Sequence, residues 1–572
     1  MRRVRTITAI AALALATTGF ATAAATTADR PADDPAVRPI AAATDSTVRP
    51  ITACSALVRG FPLPGAGTHV TAAAVVAATG TDPEYCGVRG YVEPAVRFEL
   101  RLPTRTYAGR YLQYGCGGFC GVVTPPVLAD CGLPHGGDVA VAATDDGHVG
   151  HTPGVVDDGS WGATDQAARD DFAFRASHVV SRASKAIIQA FYGAPPKKAY
   201  FSGCSDGGRE ALQLAQRYPA DFDGIVAGAP AGYWSPLLEF QTWLARVNTA
   251  AGGAPILTAA KLPALHNAVL AACDRLDGLT DGQLDDPRAC RFDPAALTCT
   301  GPDTPACLTP AQVAATRKLY SPPTDPRGTL LYPGGEPKGS ELSWAGWIIG
   351  VPATGGVSFA RSLADNYLRY LGYPIGAPAS TVDTFAFTRR EFDRLTPVGV
   401  RYNAMSTDLS AFQRRGGKLV LWHGWADEAI PPAGTLDYYQ RLTHGHGQDW
   451  ARLFMVPSLY HCGGGTTLTE FDPLRDLVAW VERGTAPTRI TATGRDEAGN
   501  VTRTRPVFPY PLRAVYDGTG SIDDAANFDP APPASPVRDV TNFRQPPPVP
   551  PFRDIVDWAG NSLYGLPGPV AR

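Results

Sequence analysis

A sheet layered with helices and carrying one long insertion is the architecture to expect of this chain. Three observations lead there. Between Cys54 and Ala231, short strand-like runs alternate with helical ones, the pattern of an α/β sheet. A serine between glycines, in Gly203-Cys204-Ser205-Asp206-Gly207-Gly208, stands where one strand-like run gives way to a helix-like run. After an irregular stretch, strand-like runs resume at Lys418.

In chain order, Met1-Arg2-Arg3-Val4-Arg5, an apolar stretch from Ile7 to Phe20 and the small residues Ala21-Thr22-Ala23 read as a secretory signal peptide over residues 1–25. An Ala, Thr and Pro-rich flexible lead-in follows over 26–50. The first part of the core, 51–231, holds strands at Val96 to Leu100, near Tyr111, at Val139 to Ala142 and at Ala199 to Phe201, and a helix from about Ala173 to Phe191. Residues 232–400 are irregular and rich in Pro, Gly, Asp and Trp, as expected of an inserted lid domain. The second part of the core, 401–572, opens with strands at Lys418 to Trp422 and Leu453 to Val456 and an amphipathic helix from Leu474 to Glu482. Beyond Arg513 the chain is Pro-rich, with Gln545-Pro546-Pro547-Pro548, and is expected to run over the surface in extended form. The one internal repeat is the doublet Asp277-Gly278 and Asp281-Gly282.

At 572 residues the chain exceeds one ordinary core. A net charge of −3 offers no basic face to nucleic acid and no polybasic membrane patch. No segment after the leader has the run of about 20 apolar residues that a spanning helix needs. A small organic substrate and a secreted, soluble protein are the expectation. In an oxidising space the eleven cysteines form a disulfide framework with at least one thiol left over. Cys273 with Cys290 and Cys299 with Cys307 each close a short, turn-rich loop; Cys54 with Cys86 is a further candidate pair. Cys116, Cys120 and Cys131 leave open which two join.

The chemistry centres on Ser205. Strand, tight turn and helix are the setting of a nucleophile elbow, in which glycines at 203 and 207 remove Cβ atoms that would clash. Serine needs a base within hydrogen-bond reach, and His461, just past the strand Leu453 to Val456, is the candidate. A bond between Cys204 and Cys462 would hold the neighbouring Ser205 and His461 together, since disulfides need Cα atoms within about 7 Å. The orienting acid should lie between serine and histidine in sequence. Asp427, just past the strand ending at Trp422, fits best, with Asp408, Asp437 and Asp449 as rivals. The order Ser205, Asp427, His461 is that of an α/β-hydrolase core, here with a large inserted lid domain. Oxyanion donors are expected from the backbone amides of Asp206 and of Gly117, in the loop Gly115-Cys116-Gly117-Gly118.

Within the insertion, Asp274, Asp277 and Asp281 crowd three carboxylates into eight residues. They repel unless a cation binds; calcium takes about six to eight oxygens, and carbonyls of Leu279 and Gln283 could join. Ordinary solvated Asp-Gly turns are the alternative. His135, His148 and His151 lack the spacing of a zinc site. The tryptophans at 234, 243, 344 and 347 could line an aromatic pocket or simply pack.

With these residues in view, the chain resembles the tannase/feruloyl esterase family from about Cys54 to about Arg489. The resemblance rests on Gly203 to Arg209, on Phe222-Asp223-Gly224-Ile225-Val226-Ala227-Gly228-Ala229-Pro230, on Cys273 to Gly282, on His423-Gly424-Trp425-Ala426-Asp427 and on His461-Cys462-Gly463-Gly464-Gly465. It implies a lidded α/β-hydrolase in which Ser205 is nucleophile, His461 base and then acid, and Asp427 its orienting partner. It also implies the Cys204–Cys462 disulfide and structural Ca2+ held by Asp274, Asp277 and Asp281 with the carbonyls of Leu279 and Gln283. Family members often carry another cysteine pair near the C-terminus; this chain has no cysteine after Cys462, so that segment is anchored otherwise. The expected function is a secreted serine carboxylesterase, without organic cofactor, for galloyl, feruloyl or related hydroxycinnamoyl esters, free or attached to plant polymer. Esterases for terephthalate monoesters or short aliphatic esters, and a binding protein on an inactive scaffold, are the alternatives.

Overall fold

Ten strands form one sheet: β1 (Gly60–Phe61), β2 (Thr68–Val76), β3 (Tyr85–Val92), β4 (Val96–Pro103), β5 (Arg110–Tyr114), β6 (Val139–Thr144), β7 (Lys198–Cys204), β8 (Gly224–Gly228), β9 (Lys418–Gly424) and β10 (Ala451–Val456). The computed structural model describes residues 47–533 except 81–82, 124–136, 152–154 and 444–448. The leader, most of the lead-in, Cys131, His135 and the Gln545 to Pro548 run lie outside the described residues. The order across the sheet is β1-β2-β3-β4-β6-β5-β7-β8-β9-β10. Strands β1 to β4 pair antiparallel, as does β4 with β6, and the six strands from β6 across to β10 run parallel.

The parallel strands carry apolar residues on both faces because both faces are covered. Along β9, Leu419 and Leu421 face one core and Val420 and Trp422 the other. In β10, Leu453 and Met455 join the first, Phe454 and Val456 the second. Helices Ala176–Tyr192 and Asp206–Arg217 pack in the first core, and Leu474–Arg483 covers the second through Leu474, Leu477 and Trp480. The large mixed sheet with helices on both faces is an α/β-hydrolase architecture.

The strands read from the sequence form with ends moved by a few residues, while the helix near Ala173 begins earlier, at Gln166, and passes through a π-turn at Asp171–Arg175. Two expectations are corrected. The stretch between β8 and β9 is not merely irregular: it holds the helices Trp234–Val247, Leu262–Cys273, Pro310–Leu319, Phe359–Asn366 and Arg389–Tyr402. Each is short and separated by Pro and Gly-rich turns that mask its periodicity, although local signals exist, such as the capping box of Thr309 and Gln312. Past Arg513 the chain is not simply extended: Arg513–Tyr516 pairs antiparallel with Phe528–Ala531. Among the described residues no helix is long and apolar enough to cross a membrane.

Among the described residues five disulfides form: Cys54–Cys86, Cys116–Cys120, Cys204–Cys462, Cys273–Cys290 and Cys299–Cys307. Cys204–Cys462 spans 258 residues with Cα atoms 5.9 Å apart and ties the end of β7 to the loop after β10. In the chain-entropy picture a loop of that length is worth up to about 5 kcal/mol. The double variant Cys204→Ala/Cys462→Ala should therefore melt several degrees lower than wild type in calorimetry and lose turnover with it. An unchanged melting temperature and rate would show that the bond constrains nothing.

Candidate active site

β7 runs into the helix Asp206–Arg217 through a single residue, Ser205, held at φ 64° and ψ −120°. That left-handed conformation is strained for a side chain with a Cβ, and the surroundings enforce it. Ser205 N–H donates to the Gly228 carbonyl at 3.1 Å, and the Ser205 carbonyl accepts from Ala231 and Arg209. A Cβ at Gly203 would lie 2.5 Å from the Gly207 carbonyl, and one at Gly115 would lie 2.5 Å from Gly207 Cα, so turn and neighbouring loop meet backbone to backbone.

Asp427 and His461 reach the serine from the loops after β9 and β10. His461 Nε2 is 2.9 Å from Ser205 Oγ, and His461 Nδ1 is 2.9 Å from Asp427 Oδ2. Asp427 is buried, and its Oδ1 accepts the amides of Ala429 and Ile430 at 2.9 and 2.8 Å, which fixes the carboxylate plane. Its rivals are engaged elsewhere: Asp408 accepts from the Ser410 amide, Asp437 pairs with Arg441 at 3.0 Å, and Asp449 precedes β10 at the opposite end of the strand from His461.

Burial pushes the Asp427 carboxyl upward, but the charge of His461 and hydrogen bonds from His423 and His461 outweigh it and hold the group well below the usual carboxylate range. Burial likewise disfavours the His461 cation, yet the Asp427 charge and hydrogen bond, with the charge of Glu428, raise the imidazole above its ordinary value. The sequence reading missed both neighbours. His423 Nε2 lies 3.2 Å from Asp427 Oδ2, and Glu428 Oε2 accepts the His461 amide at 3.3 Å. His423 opens the quoted motif and Glu428 follows it directly, but nothing in their spacing marks them.

Opposite the histidine, the loop carrying Gly117 is closed by Cys116–Cys120 and clamped to the serine helix. Glu210 Oε2 accepts the Cys116 amide at 2.8 Å, Glu210 Oε1 accepts the Ser177 hydroxyl, and Gly207 N–H donates to the Cys116 carbonyl at 2.7 Å. Gly117 and Asp206 both line a cavity of about 550 Å³ into which Ser205 opens. Its walls include Trp234, Trp347, Phe119 and Phe359; Trp243 and Trp344 instead donate to Lys318 and Ser340 away from it. Trp347 stands 5.7 Å from the His461 ring and donates to Gln241 at 3.2 Å. His148 stacks on Trp161 and bonds the Phe119 carbonyl at 2.7 Å, and His151 bonds Ser160. A serine hydroxyl and the imidazole bonded to it thus line one aromatic-walled space, with a buried carboxylate bonded to the far side of that imidazole, a constellation able to carry out acyl transfer.

The acidic loop folds away from this cavity. Asp274 accepts the amides of Asp281, Gly282 and Gln283 at 3.2, 3.1 and 3.3 Å, and Asp277 accepts that of Leu279 at 2.9 Å. Burial and the nearby Asp285 charge push Asp277 up to about 7. Asp281 Oδ2 pairs with Arg505 at 2.6 Å, while its Oδ1 is buried with no hydrogen-bond partner. The unpartnered Asp281 Oδ1 is an oxygen a hard divalent cation could use, whereas Asp281 Oδ2 is neutralised by Arg503 and Arg505, and the oxygens of Asp274, Asp277 and Asp281 do not all lie within 4.8 Å of one another. Asp285, Arg503 and Arg505 complete the surroundings and went unread, the arginines because they lie more than two hundred residues away in sequence.

A family model described as tannase and feruloyl esterase matches residues 78–531. The chain belongs to the tannase and feruloyl esterase family. Within that family it is 35% identical to mono(2-hydroxyethyl) terephthalate hydrolase from Piscinibacter sakaiensis, over 84% of this chain and 92% of that protein. It is 34% identical to a "probable feruloyl esterase B-2" from Aspergillus flavus, over 72% of this chain and 80% of that one. The crystal structure of feruloyl esterase B from Aspergillus oryzae matches it with a TM-score of 0.70 at 26% identity, covering 81% of this chain and 97% of that one. This tannase and feruloyl esterase family member is a carboxylic ester hydrolase.

The electrostatics give a direct check. An NMR titration should place the His461 midpoint above the ordinary imidazole value of 6.5, and Asp427→Asn should move it down because the charge that favours the cation is gone. An upward move in that variant would contradict the account of the pair.

Proposed function

We propose that the protein is a secreted serine carboxylesterase that hydrolyses esters of aromatic acids through an acyl-enzyme. The observation that carries this reading is the pair of 2.9 Å bonds linking Ser205 to His461 and His461 to Asp427 at the floor of an aromatic-walled cavity. Ser205 Oγ attacks the ester carbonyl while His461 Nε2 takes its proton, and Asp427 stabilises the resulting imidazolium. The carbonyl oxygen, now an oxyanion, is held by the amides of Asp206 and Gly117. Collapse expels the alcohol, which receives the proton from His461. Water then attacks the acyl-serine with His461 again as base, and the acid leaves as Ser205 regains its proton.

The insertion between β8 and β9 acts as the lid: Trp234, Trp347, Phe359 and Leu363 all come from it and form much of the cavity wall. Flat rings against this wall favour galloyl, feruloyl or related hydroxycinnamoyl groups, free or attached to plant polymer. A terephthalate monoester is the second reading, favoured by the relative named for that substrate. Secretion is supported by the leader sequence and the five disulfides, which persist in oxidising compartments.

Ca2+ would be held by Asp274, Asp277 and Asp281 with the carbonyls of Leu279 and Gln283. Bound there, it supplies charge neutralisation that pins the loop clipped by Cys273–Cys290. Chelator should lower the melting temperature of the purified protein and added calcium restore it. A melting curve indifferent to both, with no calcium by elemental analysis, would remove the metal from the account.

Initial rates of wild type and Ser205→Ala on methyl gallate, methyl ferulate and p-nitrophenyl acetate test the function. Turnover of an aromatic ester well above acetate, falling by at least about a thousandfold in the variant, is the expected result. Full activity in Ser205→Ala would overturn the mechanism, and activity on acetate alone the substrate class.

A further inference from the structure

The cavity above Ser205 has a charge character as well as a shape. Among the described residues that line it there is no lysine or arginine, and the ionisable ones are His461, Asp206 and Tyr114. The nearby cations are committed elsewhere. Arg209, on the serine helix, pairs with Asp206 at 2.6 Å and donates to the carbonyls of Ala173 and Phe172 at 2.8 Å. Arg246, on the helix that supplies Trp234 and Gln241, donates to the Phe385 carbonyl at 2.6 Å. Arg361, on the helix that supplies Phe359 and Leu363, is held by Asp383 at 2.7 Å. Arg110, on the strand that leads to the Gly117 loop, is held by Glu482 and Asp138.

Behind the serine and the Gly117 loop the buried charged groups are three acids, Asp206, Glu210 and Asp146, and one arginine, Arg209, already paired with Asp206. Glu210 and Asp146 are buried there, Glu210 bonded to the Cys116 amide and Asp146 3.5 Å from Cys116 Sγ. The uncharged polar groups on the wall are few; Gln241 is engaged at both ends, accepting from Trp347 and donating to the Ala429 carbonyl at 2.7 Å. An acyl group seated there with a carboxylate at its far end would set that charge against rings and methyl groups, with no counter-charge among the lining residues. Burying an unpaired charge is among the most costly events available in a protein interior. A neutral ring with hydroxyl or methoxyl groups loses far less.

We propose that this cavity selects against formal charge, accepting aromatic acyl groups that are neutral and turning away those that end in a carboxylate. The selection rests on the serine-esterase reading above and narrows it: terephthalate monoesters, whose acyl group carries a second, ionised carboxyl, are excluded as good substrates. The wall residues that impose it are Trp234, Leu238, Trp347, Phe359 and Leu363, none of which carries a cation.

The test compares two methyl esters of the same size on the intact enzyme at pH 7.5. Methyl 4-carbamoylbenzoate is neutral, and methyl 4-carboxybenzoate carries a carboxylate in place of the amide. Both are assayed with wild type and with Ser205→Ala. The expected result is a kcat/KM at least about a hundredfold higher for the carbamoyl ester, abolished in the variant. Comparable values, or a preference for the carboxylate, with hydrolysis still dependent on Ser205, would overturn the charge selection and leave the serine esterase standing. Hydrolysis of neither ester by enzyme that still turns over p-nitrophenyl acetate would overturn the selection and leave the serine esterase standing, and hydrolysis that survives Ser205→Ala would overturn the esterase reading and the selection with it.

Discussion

Backbone packed directly on backbone at one end of the sheet is the constraint from which the site follows. Gly203, Gly207 and Gly115 meet where no Cβ fits, and a Cβ on Gly208 would stand 2.4 Å from the Gly228 carbonyl. Because these segments touch without side chains between them, Ser205 can be forced into its left-handed turn, and the loop bearing Gly117 comes within hydrogen-bond reach of the serine helix. The strain is local and is offset by the bonds of Ser205 to Gly228, Ala231 and Arg209. Glu210 then serves two neighbours, one carboxylate oxygen on the Cys116 amide and the other on Ser177. Serine turn and glycine loop are one hydrogen-bonded body.

The histidine arrives from another part of the chain, and its position is over-determined. Strand β10 delivers the loop, Cys462 is bonded to Cys204, Asp427 holds Nδ1, and Glu428 holds the amide. Asp427 is in turn fixed by two amides and flanked by His423, whose ring is bonded to Thr435 and the Ile430 carbonyl. Each link is an ordinary contact. Together they leave the imidazole little freedom except the proton it carries, which suits the proton transfer proposed for it.

What could be read in advance divides along a physical line. The strands of the parallel sheet were legible because burial on both faces demands runs such as Lys418-Leu419-Val420-Leu421-Trp422, which little else in a chain resembles. The meeting of Ser205, Asp427 and His461 was legible because a serine on a strand-to-helix turn needs glycines at fixed offsets and because the other two stand just past strands. The insertion was opaque as structure: its helices are stabilised by packing on one another rather than by long periodic stretches, so their register lies in tertiary contacts. The same holds for Cys116–Cys120, whose pairing depends on how a loop turns, and for Glu428, Arg503 and Arg505, which matter through neighbours remote in sequence. The charge character of the cavity was equally hidden, since it depends on where arginines point. Arg361 stands two residues from Phe359 and yet is turned to Asp383.

The insertion leaves the sheet after β8 and returns at β9, strands that lie side by side with Gly228 opposite Trp422. An excursion whose two ends are moored to adjacent strands can lengthen, shorten or be redrawn with little penalty, since doubling a loop adds only about 0.6 kcal/mol of closure entropy. Ser205 lies before the departure and Asp427 and His461 after the return, and the Cys204–Cys462 bond joins them beneath it. The molecule is therefore built as a fixed floor under an exchangeable ceiling: which ester is admitted can change by rewriting one stretch of chain while the groups around Ser205 stay where they are.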